Sequence, residues 1–155
     1  MVKISVSKLK NNLENISHLN LKISRAWKGY GSALFLELGK LHEELAWENG
    51  DEPVTTKVGE FTLSSAGAWK LFKGNKELLD AENASGIEIK QAMNDLESLT
   101  IKSIKVAKKL LLKLSNNMKL EFYKTEYGFF TLISNEKPFI SYEDNVPHAF
   151  QQFYI

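Results

Sequence analysis

Three histidines, a lone arginine and a carboxylate set inside an apolar run are the residues of this chain with chemical potential. His42 borders Glu43 and Glu44. A helical zinc site needs a second histidine one turn away, and no such residue stands there. His18 closes an apolar helical repeat, where a cation suits the helix dipole, and His148 lies far away in sequence. Glu37 sits between Leu36 and Leu38 in an alternating stretch, where burial would raise its pKa toward that of a general acid. Its counterpart in the repeat described below is Lys113, which predicts an outward-facing position instead. Cysteine is absent, so disulfides, thiolate ligands and a cysteine nucleophile are excluded. No G-x-S-x-G, P-loop or dinucleotide fingerprint occurs, and Gly29-Tyr30-Gly31 is too short to cradle a phosphate. The expectation is a chain without catalytic residues, metal or cofactor.

Residues suited to binding are easier to find. The segment 40–59 carries Glu43, Glu44, Glu48, Asp51 and Glu52 around Leu45 and Trp47. An aromatic anchor ringed by acids suits a basic protein partner, so Glu43, Glu44, Trp47, Glu48 and Asp51 are the candidate contacts. An alternative is a small-molecule pocket between two halves of the chain, using Arg25, Trp27, Tyr30 and Trp69. An enzyme relying on Glu37 or His42 is a third reading. Lysines interleaved with apolar residues over 102–124 read as the solvent face of strands; with no recognised motif, they do not indicate nucleic acid.

The elements that must position these residues repeat. A shift of 80 brings Leu9, Leu13, Ile16, Leu19 and Leu21 onto Ile89, Met93, Leu96, Leu99 and Ile101. A shift of 76 brings Leu34-Phe35-Leu36 and Leu38 onto Leu110-Leu111-Leu112 and Leu114. A shift of 61 brings Glu60-Phe61, Gly67, Trp69 and Leu71 onto Glu121-Phe122, Gly128, Phe130 and Leu132. The order is the same in both halves, as an internal duplication requires. Apolar spacing of three and four predicts a helix over 5–19 and another over 88–99. Alternation predicts strands after each: the best is Ser32–Leu41, and the last lies near 138–142.

The predicted fold is α+β. A helix followed by an antiparallel meander occurs twice, with pseudo-two-fold symmetry and two helices packed on antiparallel sheets. It forms one domain over 1–155, with halves 1–83 and 84–155. The changing shift marks two insertions in the first half, Ala26–Gly31 and the acidic segment 40–59, expected as loops where sites are built. They should start at opposite ends of the sheet. The aromatic tail from Pro147 should dock on the body.

With 155 residues, 43% hydrophobic and 25% charged, the chain reads as globular. Its apolar runs are far short of the ~18 residues that cross a bilayer, so no membrane partner is expected. A net charge of +1 gives no global pull on polyanions. The first residues lack a signal-like apolar region, which makes the cytoplasm the expected compartment. The expected state is a monomer or weak homodimer.

The stretch from Arg25 to Gly39, with Gly31-Ser32-Ala33-Leu34-Phe35-Leu36-Glu37-Leu38-Gly39 at its end, resembles a group of small bacterial proteins. These share a Gly-Ser-Ala turn followed by Leu/Ile-Phe-Leu-Glu-Leu/Phe-Gly. Gly59-Glu60-Phe61-Thr62-Leu63, Trp69 and the leucine-rich strand ending at Asn117 are similar to later features of that group. The resemblance implies a toxin-immunity or accessory role and carries no catalytic residues to transfer.

Overall fold

The computed structural model describes residues 13–47, 52–126, 128–135 and 151–153. Residues 13–18 are helical (α1). There follow β1 (Ile23–Lys28), β2 (Leu34–Leu38), β3 (His42–Trp47), β4 (Pro53–Val58), β5 (Phe61–Ser65), β6 (Trp69–Lys73) and β7 (Lys76–Asp80). After α2 (Gly86–Leu96) come β8 (Ile101–Val106), β9 (Lys109–Leu114), β10 (Met118–Tyr123), β11 (Phe130–Ser134) and β12 (Gln151–Phe153). The architecture is mostly antiparallel sheet with few helices, between α+β and mostly β.

The local causes are plain. Leu34, Leu36 and Leu38 are all fully buried, as a period of two demands of a strand with one face on the core. Helix α2 starts at Ser85, whose hydroxyl accepts from the Glu88 amide while the Glu88 carboxylate accepts from the Ser85 amide. This capping box satisfies two amides that the first turn cannot. Ile89, Ala92, Met93 and Leu96 then form the buried stripe.

Two five-stranded sheets share one hydrophobic cluster. The first has the order β1-β2-β5-β11-β12 and the second β8-β9-β10-β6-β7, read from the β8 edge. The chain crosses from the first to the second in the short turn between β5 and β6, and returns between β10 and β11. Each sheet therefore takes three strands from one half of the chain and two from the other.

The hydrogen bonds come in matching pairs. Ile23 N donates to Leu99 O at 2.8 Å, and Ile101 N to Leu21 O at 2.8 Å. Gly39 N donates to Lys22 O, and Ser115 N to Thr100 O. Ala66 N donates to Phe129 O, and Tyr123 N to Ala68 O. Gly74 N donates to Asn117 O, and Asn135 N to Glu60 O. A register irregularity lies between Ile23 and Arg25 in β1 and between Ile101 and Ser103 in β8. Lys22 and Thr100 bridge the two sheets where these pairs converge.

Three expectations change. In the ladders Leu63 lies opposite Leu36 and Leu120 opposite Leu112, so Leu63 matches Leu120 and not Lys124, as the shift of 61 implied. That shift holds only from β6 onward. The acidic segment is not an irregular loop: β3 and β4 pair from His42↔Val58 to Trp47↔Pro53. The β-branched run Val54-Thr55-Thr56 with Val58 favours that extended form. Residues 138–142 lie outside the described residues; β11 pairs with β5 on one side and, on the other, with β12 from the aromatic tail.

Candidate functional site

The outer face of the first sheet carries the site. On β1 and β2 the residues pointing away from the core are Arg25, Trp27, Phe35 and Glu37, in the register Arg25↔Glu37 and Trp27↔Phe35. The indole of Trp27 stacks on the Phe35 ring, with centroids 4.0 Å apart and planes 12° from parallel. On the neighbouring strand β5, Thr62 lies opposite Glu37.

Glu37 is 1% exposed, although it points away from the hydrophobic core. The outward, solvated position expected from its match with Lys113 is therefore wrong on the second count. Its donors are all supplied by the protein. The Thr62 hydroxyl donates to the carboxylate, and Trp27 Nε1 donates to Oε2 at 3.4 Å. A backbone hydrogen bond comes from Gly59. Thr62 Oγ1 in turn accepts from Asn135 Nδ2 at 2.8 Å, and the same amide donates to Gly59 O at 3.0 Å. Burial pushes the Glu37 carboxyl above the usual glutamate range; the Thr62, Trp27 and Gly59 hydrogen bonds and the Arg25 charge oppose it without prevailing.

Arg25 does not spend its donors on Glu37. Its Nη1 donates to Lys57 O at 3.1 Å and Thr56 Oγ1 at 3.4 Å, tying β4 to the sheet. Its guanidinium carbon lies 5.7 Å from the centre of the Trp27 ring, a cation–π distance. The ribbon thus leaves the sheet beside Arg25 and Glu37. At its base Gly59 passes directly over Leu38: a Cβ on Gly59 would stand 2.4 Å from Leu38 O. Gly39 has φ +82°, and a Cβ there would run into the Glu60 carboxylate, which accepts from Lys40 N at 3.0 Å. These two glycines allow the ribbon to start and finish at one point.

Beyond that base the ribbon is exposed. Glu43, Glu44, Thr55 and Lys57 face solvent, and Val54 is 46% exposed. His42 Nε2 lies 3.0 Å from Glu44 Oε1 on the ribbon itself. Trp47 is the last residue of β3, and its side chain lies outside what the structure describes, as do Glu48 and Asp51.

The other predicted ligand contacts are dispersed. Arg25 and Trp27 come together. Tyr30 is fully exposed at the β1–β2 turn, the end of the hairpin opposite the ribbon. Trp69 is 1% exposed in the core, with its Nε1 donating to Ser32 O at 2.6 Å. Thr62 and Asn135 were not singled out from sequence. Thr62 sits in the strand motif that follows Gly59, but nothing in the sequence brings Asn135 beside it.

The second sheet offers the comparison. Where the first has Arg25, Trp27, Phe35 and Glu37, the ladder positions of the second hold Ser103, Lys105, Leu111 and Lys113. A tight turn at Asn116-Asn117 replaces the ribbon, with φ of 58° and 60°. Glu121 is buried there, but it accepts from Lys109 Nζ at 2.6 Å and from the Tyr123 hydroxyl at 2.5 Å. Burial pushes its carboxyl up, and those two partners with the lysine charges bring it below the usual range. Burial and then the Glu121 hydrogen bond push the Tyr123 hydroxyl far up in turn.

Chemically, the first face can hold a proton on Glu37 and present an acidic ribbon. Among the described residues no group of three or more acids and histidines could hold a metal ion. No helix among them is long and apolar enough to cross a membrane. Compared with family models, curated proteins and solved structures, the chain matches none.

Proposed function

We propose that this chain is a non-enzymatic bacterial binding protein, of the immunity type, that engages a basic partner protein through the β3–β4 ribbon. The observation that carries the reading is the ribbon itself: an added acidic element with Glu43 and Glu44 exposed, fastened to the sheet at its base. Among the described residues no further strand pairs with it, so backbone groups beyond Lys57 O can meet a partner, and its acids steer a basic one. Trp47, Glu48 and Asp51 complete the contact set in this reading. The immunity role rests on the resemblance of residues 25–39 alone.

The same reading takes the chain as an internal duplication with pseudo-two-fold symmetry. The matched strand orders, the four pairs of reciprocal hydrogen bonds and the matched irregularities in β1 and β8 support it. In a duplicated frame the ribbon is an addition to one copy, which is where a function is grafted.

The test is affinity capture from the native bacterium with mass spectrometry, comparing the wild type with a Glu43→Lys/Glu44→Lys variant. Both positions are exposed, so the variant should fold. A basic protein held by the wild type, lost by the variant and released by added salt is the expected result. If the same proteins are recovered with both, the ribbon is not the docking element.

A further inference from the structure

The charges on the outer face of the second sheet do not balance. The ladders put Lys105, Leu111, Glu121, Lys70 and Asp80 in one row across β8, β9, β10, β6 and β7. The next row runs Ser103, Lys113, Lys119, Phe72 and Glu77. The acids of these rows are already taken. Lys109 Nζ lies 2.6 Å from Glu121, and Lys70 Nζ lies 3.2 Å from Glu77 and 3.9 Å from Asp80.

Three lysines are left over. Among the described residues Lys105, Lys113 and Lys119 enter no ion pair. Lys119 lies 5.5 Å from the centre of the Phe72 ring and acts on Glu121 only through its charge. Lys113 and Lys119 stand directly opposite one another. Like charges so placed repel across a ladder, and an anion between them would relieve the repulsion. Leu111 and Phe72, both half-buried, set apolar surface beside the three ammonium groups. Such a face suits a flat acidic element with some apolar surface of its own.

The chain itself carries that element. Cross-strand partners share a face of the ribbon, and Glu44↔Thr56 and Ala46↔Val54 lie two residues apart along the same one. Glu44 and Val54 are exposed there, and Glu52, also exposed, comes just before β4. Glu43 belongs to the opposite face, across from Lys57, which offsets its charge. At about 3.4 Å per residue, the positions of Glu44 and Glu52 stand ~13 Å apart with Val54 between them. Lys105 and Lys119 are two strands and one row apart, ~12 Å, with Leu111 between them. A net charge of +1 puts little repulsion between whole molecules.

We propose, resting on the ribbon reading, that the basic partner of the ribbon is a second copy of this chain. Its β8–β9–β10 outer face receives the ribbon face that carries Glu44, Val54 and Glu52. Ribbon and basic face are different surfaces, so the contact is head-to-tail and closes as a dimer when each copy gives its ribbon to the other.

The test is sedimentation velocity over a concentration series on the wild type, Glu44→Lys/Glu52→Lys and Lys105→Glu/Lys113→Glu. All four positions are exposed, and circular dichroism checks that both variants fold. The expected wild-type mass rises with concentration and falls back when salt is added. Each variant should associate about tenfold or more weakly, a difference of ~1.4 kcal/mol. Concentrating the wild type should shift the amide resonances of Glu44 and Val54 together with those of Lys105, Leu111 and Lys113. A wild type that stays monomeric throughout overturns this proposal, and a basic protein of another sequence captured through Glu43 and Glu44 would then leave the ribbon reading standing. Association that survives the lysine reversal also overturns it, the ribbon then docking elsewhere. Association that survives the glutamate reversal overturns it as well, since the ribbon is then not the element that joins the copies.

Discussion

Replacing Glu37 by Gln tests whether burial or hydrogen bonding controls the carboxylate on which the ribbon base rests. The folded protein holds Glu37 above the usual glutamate range, from an ordinary value of 4.5. At a pH below that value the group is protonated in both folded and unfolded chains. As the pH rises past 4.5 the unfolded chain ionises and is stabilised, while the folded chain keeps its proton. Stability from this group is therefore fully present in acid and is lost as the pH rises through the folded pKa. The loss is about 1.4 kcal/mol for each pH unit between 4.5 and the folded value, and it levels off once the folded carboxyl ionises. Glu88 and Glu121, both lowered, act in the opposite sense over a more acidic range, so the wild-type curve alone is a sum. The difference between wild type and Glu37→Gln cancels them. Urea unfolding at several values from pH 4 to 8, followed by tryptophan fluorescence, supplies both curves. Gln presents an amide where Trp27 and Thr62 also donate, so the variant should cost ~1–3 kcal/mol at acid pH. That cost should shrink as the pH rises above 4.5. A difference that grows over the same range would mean that Arg25 and the three donors outweigh burial and that Glu37 is ionised when folded.

Two further outcomes follow from the frame. Gly59→Ala places a methyl group 2.4 Å from Leu38 O and 2.6 Å from Leu38 N, which are backbone atoms that cannot rotate away. It should cost ~1–3 kcal/mol or more in thermal or urea unfolding, and an unchanged midpoint would show that the ribbon base shifts freely. Cutting the chain in the turn before Ser85 should give fragments that do not fold separately but regain sheet structure by circular dichroism when mixed, because each sheet takes two strands from the other half; cooperative folding of either fragment alone would refute this.

The frame was legible where one residue type repeats at one period. Leu34, Leu36 and Leu38 announce β2, and their match to Leu110, Leu112 and Leu114 announces β9, because both strands bury one face on the same core. The match of β5 to β10 differs from the shift of 61 by four residues, Leu63 standing where Leu120 does. Glu60-Phe61 and Glu121-Phe122 are alike in type but occupy different ladder positions, and pairwise identity does not report which residue lies opposite. The burial of Glu37 was missed for a related reason. Its counterpart Lys113 is exposed, and a match between halves implies the same surroundings for both. Matched positions share a backbone direction, whereas exposure depends on what lies above the sheet. Asn135 lies far along the chain from Gly59 and Thr62, so no local pattern could bring it to them.

That distinction explains why the two outer faces diverge. Above β9 the chain turns back at once through Asn116-Asn117, and the face it leaves open carries lysines together with acids that they pair, Glu121 with Lys109 and Glu77 and Asp80 with Lys70. Above β2 the chain instead departs at Gly39 and returns at Gly59, and everything beneath that departure is altered. Arg25 points to the returning strand, Trp27 lies flat on Phe35, and the Gly59 amide reaches Glu37. A lysine at position 37 would be buried among donors with nothing to accept its protons, and a glutamate at position 113 would meet water. The acid at 37 therefore belongs to the ribbon as much as to the strand that carries it: it is the acceptor around which the ribbon base is assembled. Of the ribbon's exposed acids, Glu44 reaches His42 on the ribbon itself, and in the proposed function the charge it shares with Glu43 is what a basic partner meets.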